Sequence, residues 1–491
     1  MKSGADFPAT GGADTRAERA GPALYGPETV KAIANFGRGR TPRILIAAYA
    51  KVKRAAVEAV QDSEHRFDPA LFACLVDALD EIASGGLDLQ FPLPLRQGGA
   101  GTSLNMNLNE VAASRARELF AEREGRAAPP LDPIEDVNRF QSTNDTFPTA
   151  VSVVAYELVT RLETRIVAVQ EQLVAKEKEY EGLLIAGRTE LQDALPVRLG
   201  QVFGAWAGCL ERDRWRFNKL KERIRTSALG GTAIGTCFSA TVAYVHAAER
   251  RLRAATGLPF ARSQNLPDEI AHQDKLAEAA QGIGLCAGNL KKICADLLLY
   301  TSSLSREMVH PELQYGSTIM PAKSNPVLLE YIRGQAIAAE HEAQCARDFA
   351  FEGQLQLNPY LPFLADALIA AAGSLEAALA AMSERLLPIL QPDRTHIVEG
   401  LLRSNVLLNL LVPVLGYRRV KELAEQLRTE LAEPGPGMAQ PGPGEPIPTG
   451  ADGLEAYVDR VARLSGRPRG EIAARFDPYA ATGFSAEGDL Q

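Results

Sequence analysis

Cysteine is scarce in this 491-residue chain, and its six residues are scattered. No C-x-x-C pair occurs, so the spacing matches neither a zinc site nor a disulfide framework. We expect buried free thiols, as in a protein of the reducing cytoplasm. The six are Cys74, Cys209, Cys237, Cys286, Cys294 and Cys345.

The sequence also lacks an excess of positive charge and long apolar runs. The net charge of −8 gives no electrostatic footprint for nucleic acid or an anionic membrane, although a local site can still bind a small anion. No uncharged apolar run is long enough for a membrane span, so none is expected. The N-terminal stretch is small, polar and charged without a signal-peptide core, and it predicts a disordered tail over residues 1–21.

Helical periodicity, in contrast, is abundant. Apolar residues at three- and four-residue spacing, among strong helix formers, predict a long helix over Thr149–Leu184. Similar patterns cover Leu191–Lys221, Asp274–Leu304, Leu328–Asp348 and Pro362–Arg385. Strand-like alternation is scarce. The expected class is all-α, with a bundle of long helices.

Polar, glycine-rich stretches separate the helices. A further break, Glu433–Gly453, is rich in proline and glycine and predicts a linker, followed by two short helices. The polar stretches are RQGGAGTSLNMNLNE (Arg96–Glu110), FQSTNDTFPT (Phe140–Thr149), AGRTELQDALP (Ala186–Pro196) and GSTIMPAKSNP (Gly316–Pro326).

The first polar stretch contains GGAGTS, which looks like a phosphate loop. No Lys-Ser/Thr follows its last glycine and no clear strand precedes it, so neither phosphate motif is present. Its neutral donors Thr102, Ser103, Asn105 and Asn107 suit a carboxylate better. The simpler interpretation is a helix N-cap at Thr102 or Ser103, and both can hold because helix N-termini bind anions.

The other polar stretches carry similar donors. Ser142, Thr143 and Asn144 could simply cap the long helix, and Thr189 with Glu190 could lie in an ordinary charged loop.

In GSTIMPAKSNP, Lys323 and Asn325 can bind a carboxylate through charge and hydrogen bonds. Ser317 and Thr318 follow a glycine that permits unusual backbone angles. A polar surface loop is the simpler explanation here, but four donor-rich stretches together favour a carboxylate site.

Together these stretches resemble the aspartase/fumarase superfamily. GSTIMPAKSNP is similar to its signature loop, G-S-S-x-M-P-x-K-x-N-P, with Thr318 in place of the second serine. Five more blocks follow the family's order: QGGAGTSLNMNLNEVAASRA, VNRFQSTNDTFPT, GRTELQDALPVRLGQVF, LGGTAIGT and GQLQLN. The resemblance covers roughly residues 22–420, and TAIGT, SxIMPAK and GQLQLN lean toward aspartase over class II fumarase.

The resemblance implies three helical domains in a homotetramer whose active sites draw on three subunits. The expected segments are the tail 1–21, an N-terminal helical domain 22–148, a central bundle 149–398 carrying the loop 316–326, and a small C-terminal domain 399–491 with the linker 433–453.

The resemblance also implies chemistry, namely anti elimination of a C–N or C–O bond in a succinyl compound to release fumarate. Ser317 corresponds to the general base. No metal or organic cofactor is required, which leaves room for an activating divalent cation. The matching substrate-binding positions are Thr102, Ser142, Thr143, Asn144, Thr189, Lys323 and Asn325. Glu190 is also expected to bind substrate, and further site positions are Thr318, Met320 and Glu330.

Elementary chemistry agrees with this assignment. Removing the carbon-bound proton places a second negative charge on the adjacent carboxylate, so preorganised donors are the main catalytic device. A serine is a poor base unless loop amides and Lys323 stabilise its alkoxide. A loop that closes over substrate would exclude water and bring the base to its target.

The sequence departs from the family at Glu190, where fumarases and some aspartases have His and other aspartases have Gln. Glu330 matches the glutamate that pairs with that His, so two carboxylates would lie close and need a cation between them. A substrate ammonium could be that cation, which favours an amine leaving group over malate. Alternatively, Glu190 turns away to an arginine, for instance Arg188 or an arginine of a partner subunit.

Three further departures, Leu104, Phe140 and Tyr315, could reshape the pocket. We predict a cytoplasmic C–N lyase resembling aspartate ammonia-lyase, with a small dicarboxylate substrate. The alternatives are a lyase for an N-substituted succinate (nitro-, hydrazino- or similar), a fumarate hydratase and an inactive scaffold.

Overall fold

The computed structural model describes residues 22–432 and 451–483. The predicted tail 1–21 and residues 433–450 of the predicted linker lie outside the described residues, while the end of that segment opens a helix at Ala451.

Two compact units make up the chain. The expected boundaries at 22–148, 149–398 and 399–491 stay a prediction. Among the described residues, the first unit contains 22–151, Ser227–Ala271 and Gln354–Pro362, and the second contains Ser152–Thr226, His272–Gly353, 363–432 and 451–483.

Helices dominate the described residues, which confirms the all-α class. The helices are α1 (Pro27–Phe36), α2 (Arg43–Glu64), α3 (Pro69–Ser84), α4 (Thr102–Glu124), α5 (Thr143–Glu179), α6 (Leu199–Ile224), α7 (Val242–Thr256), α8 (Leu266–Ala271), α9 (Asp274–Tyr300), α10 (Val327–Ala350), α11 (Leu361–Ala381), α12 (Arg394–Ser404), α13 (Val412–Leu415), α14 (Tyr417–Ala432), α15 (Ala451–Ser465), α16 (Arg469–Arg475) and α17 (Pro478–Ala481), with 3₁₀ turns at Asp88–Gln90 and Val406–Leu411 and a π-helical turn at Met382–Leu386. The strands are β1 (Leu184–Thr189), β2 (Gln192–Arg198), β3 (Thr226–Ser227), β4 (Ala261–Arg262), β5 (Met308–Val309) and β6 (Gln391–Pro392).

In the first unit, α2 packs against both α3 and α7. One reason α3 starts where it does is Asp68, whose side chain accepts the amides of Ala70 and Leu71 while Pro69 opens the helix. The middle of α2 is almost entirely buried, so α2 is the core helix of this unit.

In the second unit, α9 packs along α10 and also against α6. One face of α9 is buried and carries Ile283, Leu290 and Leu297 at seven-residue intervals. The buried residues of α10 include small ones such as Ala336 and Ala343. Such small residues let helices approach closely and set the bundle.

Leu361–Leu386 is long and apolar enough to cross a membrane by composition alone, and half of its most apolar stretch is buried inside the protein. The core helix of a globular protein passes the same test.

The helical prediction is wrong at the start of Leu191–Lys221. Residues Leu184–Arg198 form the antiparallel hairpin β1–β2, and α6 begins only at Leu199. The reason lies partly in Pro196, which disfavours helical angles at Leu195 and would break a helix around it. Burial of Leu184, Ile185 and Ala186 then fixes the hairpin onto the unit. In contrast, α5 confirms a long helix that begins earlier than expected, at Thr143.

All six cysteines are free thiols, as expected. Only Cys74, Cys286 and Cys294 are fully buried; the others are partly exposed.

Candidate active site

The turn before α5 holds three of the predicted donors in the first unit. Ser142 Oγ accepts the amide of Asn144 (3.1 Å), and Asp145 Oδ1 accepts the amide of Ser142 (3.0 Å). This reciprocal pair caps the helix, so the capping interpretation of this turn is confirmed. Thr143 is buried, while Ser142 and Asn144 stay half-buried.

A second turn in the same unit is tied to the first one. Asp145 Oδ2 accepts the amides of Gly230 (3.0 Å) and Thr232 (2.9 Å), and Asn144 Nδ2 donates to the carbonyl of Ala233 (2.9 Å). One buried carboxylate therefore holds two backbone turns together. The donors of the Ser142 turn are preorganised because their backbone cannot shift without breaking these bonds.

Beneath these turns lies a fully buried lysine. Lys53 Nζ donates to Asn138 Oδ1 (2.8 Å) and Gln141 Oε1 (2.9 Å). Burial lowers the pKa of Lys53 to about 7, with the charge of Asp145 opposing that change. Burial likewise raises the pKa of Asp145 to about 7, against the effect of the amides that bind it.

Thr102 is the first residue of α4 in the structure. Its predecessor Gly101 takes the cap position at φ +89°, with no side-chain cap, so the expected Thr or Ser cap is wrong. A Cβ on Gly101 would lie 2.6 Å from the ring of Phe147, which leaves room only for glycine. The exposed Thr102 side chain is thus available to a ligand, whereas Asn105 and Asn107 are buried.

Thr189 and Glu190 lie at the tip of the β1–β2 hairpin in the second unit. Thr189 pairs with Gln192, so Glu190 and Leu191 form a two-residue turn, with φ values of +53° and +61°. Two positive values define a type I′ turn, which strongly prefers Asn-Gly. The Glu190 side chain is exposed and has no ion-pair partner in the described part of the chain.

Arg188 does not neutralise Glu190. Its guanidinium pairs instead with Asp193 Oδ1 (3.0 Å) and Glu307 Oε2 (2.8 Å). The prediction that Glu190 turns to Arg188 is therefore wrong, and the form of that alternative in which the arginine comes from a partner subunit stays a prediction.

The signature loop gathers a hydroxyl, two amides and a lysine in the second unit. Ser317 Oγ accepts the amides of Ile319 (3.2 Å) and Met320 (3.1 Å). Two converging N–H dipoles favour an oxyanion at this oxygen. Thr318, Met320 and Lys323 are exposed on the same loop.

The neck of this loop is narrow. Asn325 Nδ2 donates to the carbonyl of Gly316 (2.6 Å), and a Cβ on Gly316 would lie 1.7 Å from the carbonyl oxygen of Lys323. The amide of Asn325 therefore fastens the loop, a role that the sequence did not indicate. Glu330 lies exposed in the first turn of α10, which follows the loop.

The three other departures have separate environments. Leu104 is buried in α4. Phe140 adopts φ +59° and packs on the ring of Tyr244 (centroids 5.3 Å apart) and the guanidinium of Arg139 (4.6 Å). Tyr315 is 93% exposed beside the loop.

Lys53, Asp145 and Glu307 are not among the residues predicted from the sequence. A signal existed for Lys53, because a lysine within the apolar face of α2 needs buried acceptors. Asp145 directly follows the Ser142–Asn144 donors in the sequence. Glu307 carried no signal, since only the fold brings it to Arg188. Across 22–432 and 451–483, no group of three or more His, Cys, Asp or Glu side chains could hold a metal ion.

The chain is similar to known lyases. A family model described as Lyase matches residues 15–339. The class II fumarate hydratase of Ralstonia nicotianae is 34% identical over 413 residues, covering 83% of this chain and 89% of that protein. The aspartate ammonia-lyase of Bacillus subtilis is 32% identical over 409 residues, covering 82% of this chain and 85% of that protein.

A solved structure agrees over nearly the full length. A fumarate lyase:delta crystallin from Brucella melitensis superposes with a TM-score of 0.81 at 31% identity, covering 93% of this chain and 95% of that one.

Proposed function

The chain belongs to the Lyase family, within the aspartase/fumarase superfamily, and on this premise we propose that it eliminates ammonia or another amine from an aspartate-like succinate to give fumarate. In this proposal Ser317 removes the proton from the carbon beside a carboxylate. The electron pair left on that carbon forms an aci-carboxylate, which then collapses to expel the amine.

The donors have complementary roles in this mechanism. Ser142, Thr143 and Asn144, on a backbone fixed by Asp145, bind carboxylate oxygens together with Thr102. Lys323 and the loop amides around Ser317 stabilise charge at the base. Because negative charge grows on the substrate carboxylate as the proton leaves, these fixed dipoles stabilise the transition state more than the ground state.

Glu190 is the residue that favours an amine substrate in this proposal. Its exposed carboxylate lies at the hairpin tip, and no cationic side chain of residues 22–432 or 451–483 pairs with it. An ammonium or larger cationic nitrogen group on the substrate would supply the missing charge, whereas the neutral hydroxyl of malate would not. The resemblance assigns this position to the site, and a homotetramer in the cytoplasm is part of the same proposal.

Hydration of fumarate is the second candidate. A specific observation favours it, because the relative named class II fumarate hydratase is 34% identical to this chain, compared with 32% for the one named aspartate ammonia-lyase. Glu190 counts against it, since an extra carboxylate near a dianionic substrate raises the cost of binding.

The deciding experiment follows the ultraviolet absorbance of fumarate while the purified protein acts on L-aspartate or L-malate. We expect turnover of aspartate to exceed that of malate. Faster malate turnover would favour the hydratase. If neither substrate is consumed, a panel of amines is tested for addition to fumarate, which is the reverse reaction. Addition of any amine would support the C–N lyase. No reaction with any amine would support an inactive scaffold.

A further inference from the structure

The turn at Glu190–Leu191 is strained, and something must hold it. Residues other than glycine, asparagine and aspartate rarely adopt positive φ, yet Glu190 and Leu191 do so consecutively. Strain of this kind persists only where surrounding contacts over-determine the backbone, and it concentrates at functional sites. The contacts that hold this turn therefore bear on function.

Arg188 is the principal contact on the first strand. Its Nε donates to Asp193 (3.0 Å), its cross-strand partner two residues beyond the turn. Its Nη1 donates to Glu307 Oε2 (2.8 Å), and the Glu307 side chain is only 5% exposed. One guanidinium thus ties both strands of the tip to a buried carboxylate, using the planar fork that lysine lacks.

Glu307 is itself firmly seated. Ser305 Oγ donates to its carboxylate (2.7 Å), and its carbonyl accepts the amide of Asp393 (2.9 Å). The second strand has its own anchor, because Asn409 Nδ2 donates to the carbonyl of Ala194 (2.8 Å). The tip is fastened to the body of the unit from both strands.

The register near Arg188 is also fixed. The strand pairing shifts between Ala186 and Arg188, where Ala194 and Leu195 of β2 lie opposite the single residue Gly187 of β1, so that β2 carries the extra residue of a bulge. A Cβ on Gly187 would lie 2.6 Å from the carbonyl oxygen of Leu195, so only glycine fits. The bulge sets where Arg188 leaves the strand and therefore which carboxylates it meets.

We infer that Arg188 is a positioning residue that holds the Glu190–Leu191 turn in its left-handed conformation and so aims the Glu190 carboxylate at the nitrogen group of the substrate. This inference rests on the proposed function for its substrate, and on the contacts above for its mechanics. Arg188 acts through the backbone of the tip and does not need to touch the substrate.

The test compares Arg188→Met with the double variant Arg188→Met/Leu191→Gly in the full chain. Glycine accepts positive φ without strain, so it makes the anchor dispensable. We expect Arg188→Met to lower kcat/KM for the best nitrogen substrate by at least about tenfold, because a small misplacement of a positioned group has effects of that order. The added Leu191→Gly should restore most of that loss.

Two controls frame this result. Arg54→Met removes an arginine of similar exposure, paired with Asp80 in the first unit, and should leave kcat/KM unchanged. Arg188→Lys keeps the positive charge but loses the planar guanidinium, so it should give an intermediate loss of kcat/KM that Leu191→Gly also restores. If Arg188→Met does not fold, Arg188→Lys takes its place in the test. A loss that Leu191→Gly fails to repair, or no loss at all, would overturn the inference.

Amide hydrogen exchange separates this inference from the proposed function. Arg188→Met should speed exchange in the hairpin Leu184–Arg198 and leave α9 unchanged, whether or not any substrate is found. If the wild-type protein turns over no succinate, the proposed function fails while the exchange result still decides the role of Arg188. Unchanged exchange at the tip would exclude that role.

Discussion

At the scale of single residues, the central difficulty of the proposed mechanism is that it requires a serine hydroxyl to act as a base. The amides of Ile319 and Met320 already point at Ser317 Oγ, and Lys323 lies on the same loop. These groups favour the alkoxide before substrate arrives, so less reorganisation is needed during the reaction.

Replacing Ser317 with alanine should therefore abolish turnover, since no other loop hydroxyl is held by two amides in this way. Steady-state kinetics and circular dichroism would show lost activity in a folded protein. Ser324→Ala removes an exposed hydroxyl from the same loop and serves as the matched control, with activity expected to stay at the wild-type level. Retained activity in Ser317→Ala would contradict the base assignment.

Glu190→Gln should selectively weaken the use of cationic nitrogen substrates. The amide keeps the shape of the side chain and loses its charge, so the loss in kcat/KM should be on the order of tenfold, the size of one charge-assisted hydrogen bond. A panel of amines added to fumarate measures the profile. An unchanged profile would mean that Glu190 faces elsewhere.

At the scale of elements, the neck of the signature loop is set by one backbone approach. Gly316 and Lys323 lie so close that no side chain fits between them, and Asn325 fastens the same point. The loop is thus joined to the protein at a narrow neck, and the proposed mechanism expects this loop to close over substrate.

Gly316→Ala should widen that neck and displace Ser317, lowering kcat by roughly ten- to a hundredfold. Gly334→Ala is the control, because its Cβ meets nothing within 4 Å inside α10. That control should keep full activity and gain about 0.5–1 kcal/mol of stability, as alanine favours helix. Equal kcat values for both variants would rule out a tight neck.

The buried lysine of α2 makes a prediction for stability. Lys53→Met removes the lysine donor from Gln141 Oε1 and leaves Asn138 Oδ1 with only the donors of Asn105 and Asn109, and should cost roughly 3 kcal/mol in the free energy of unfolding. Urea denaturation measures it, with the surface variant Lys31→Met expected to be nearly neutral. Comparable midpoints for the two variants would refute the estimate.

The same variant should change the pH dependence. Burial lowers the pKa of Lys53 to about 7, below its ordinary pKa of 10.5. Between about pH 7 and pH 10.5, Lys53 is therefore protonated in the unfolded chain and deprotonated in the folded chain. The unfolded state binds more protons in this window, so the contribution of Lys53 raises stability as pH rises. Lys53→Met should lose that rise.

At the scale of the whole molecule, the predicted donors fall in both units. Thr102 and the Ser142 turn belong to the first unit, and the hairpin tip and signature loop to the second. The family resemblance implies active sites shared among three subunits of a homotetramer, which remains a prediction for this chain.

Subunit mixing tests that prediction. Thr102→Val and Ser317→Ala should each be weakly active or inactive alone. If residues 102 and 317 of one site come from different subunits, each position is wild-type in half of the sites of a random equal mixture. Both are wild-type in about a quarter of the sites, so the mixed tetramers should recover roughly a quarter of the wild-type activity. No recovery would mean that one chain supplies both residues. Mixing Ser317→Ala with itself is the baseline.

The sequence by itself determined the helical class, the family and the positions of the donor-rich stretches, because periodicity and ordered local motifs are properties of short segments. It also indicated loop amides around Ser317. Only the tertiary structure decided that Leu184–Arg198 is a hairpin, that Gly101 rather than Thr102 caps α4, and that Arg188 binds Glu307 and leaves Glu190 unpaired within the described chain. These features depend on which distant groups folding brings together, and a carboxylate's partner across more than a hundred residues leaves no mark on its local sequence.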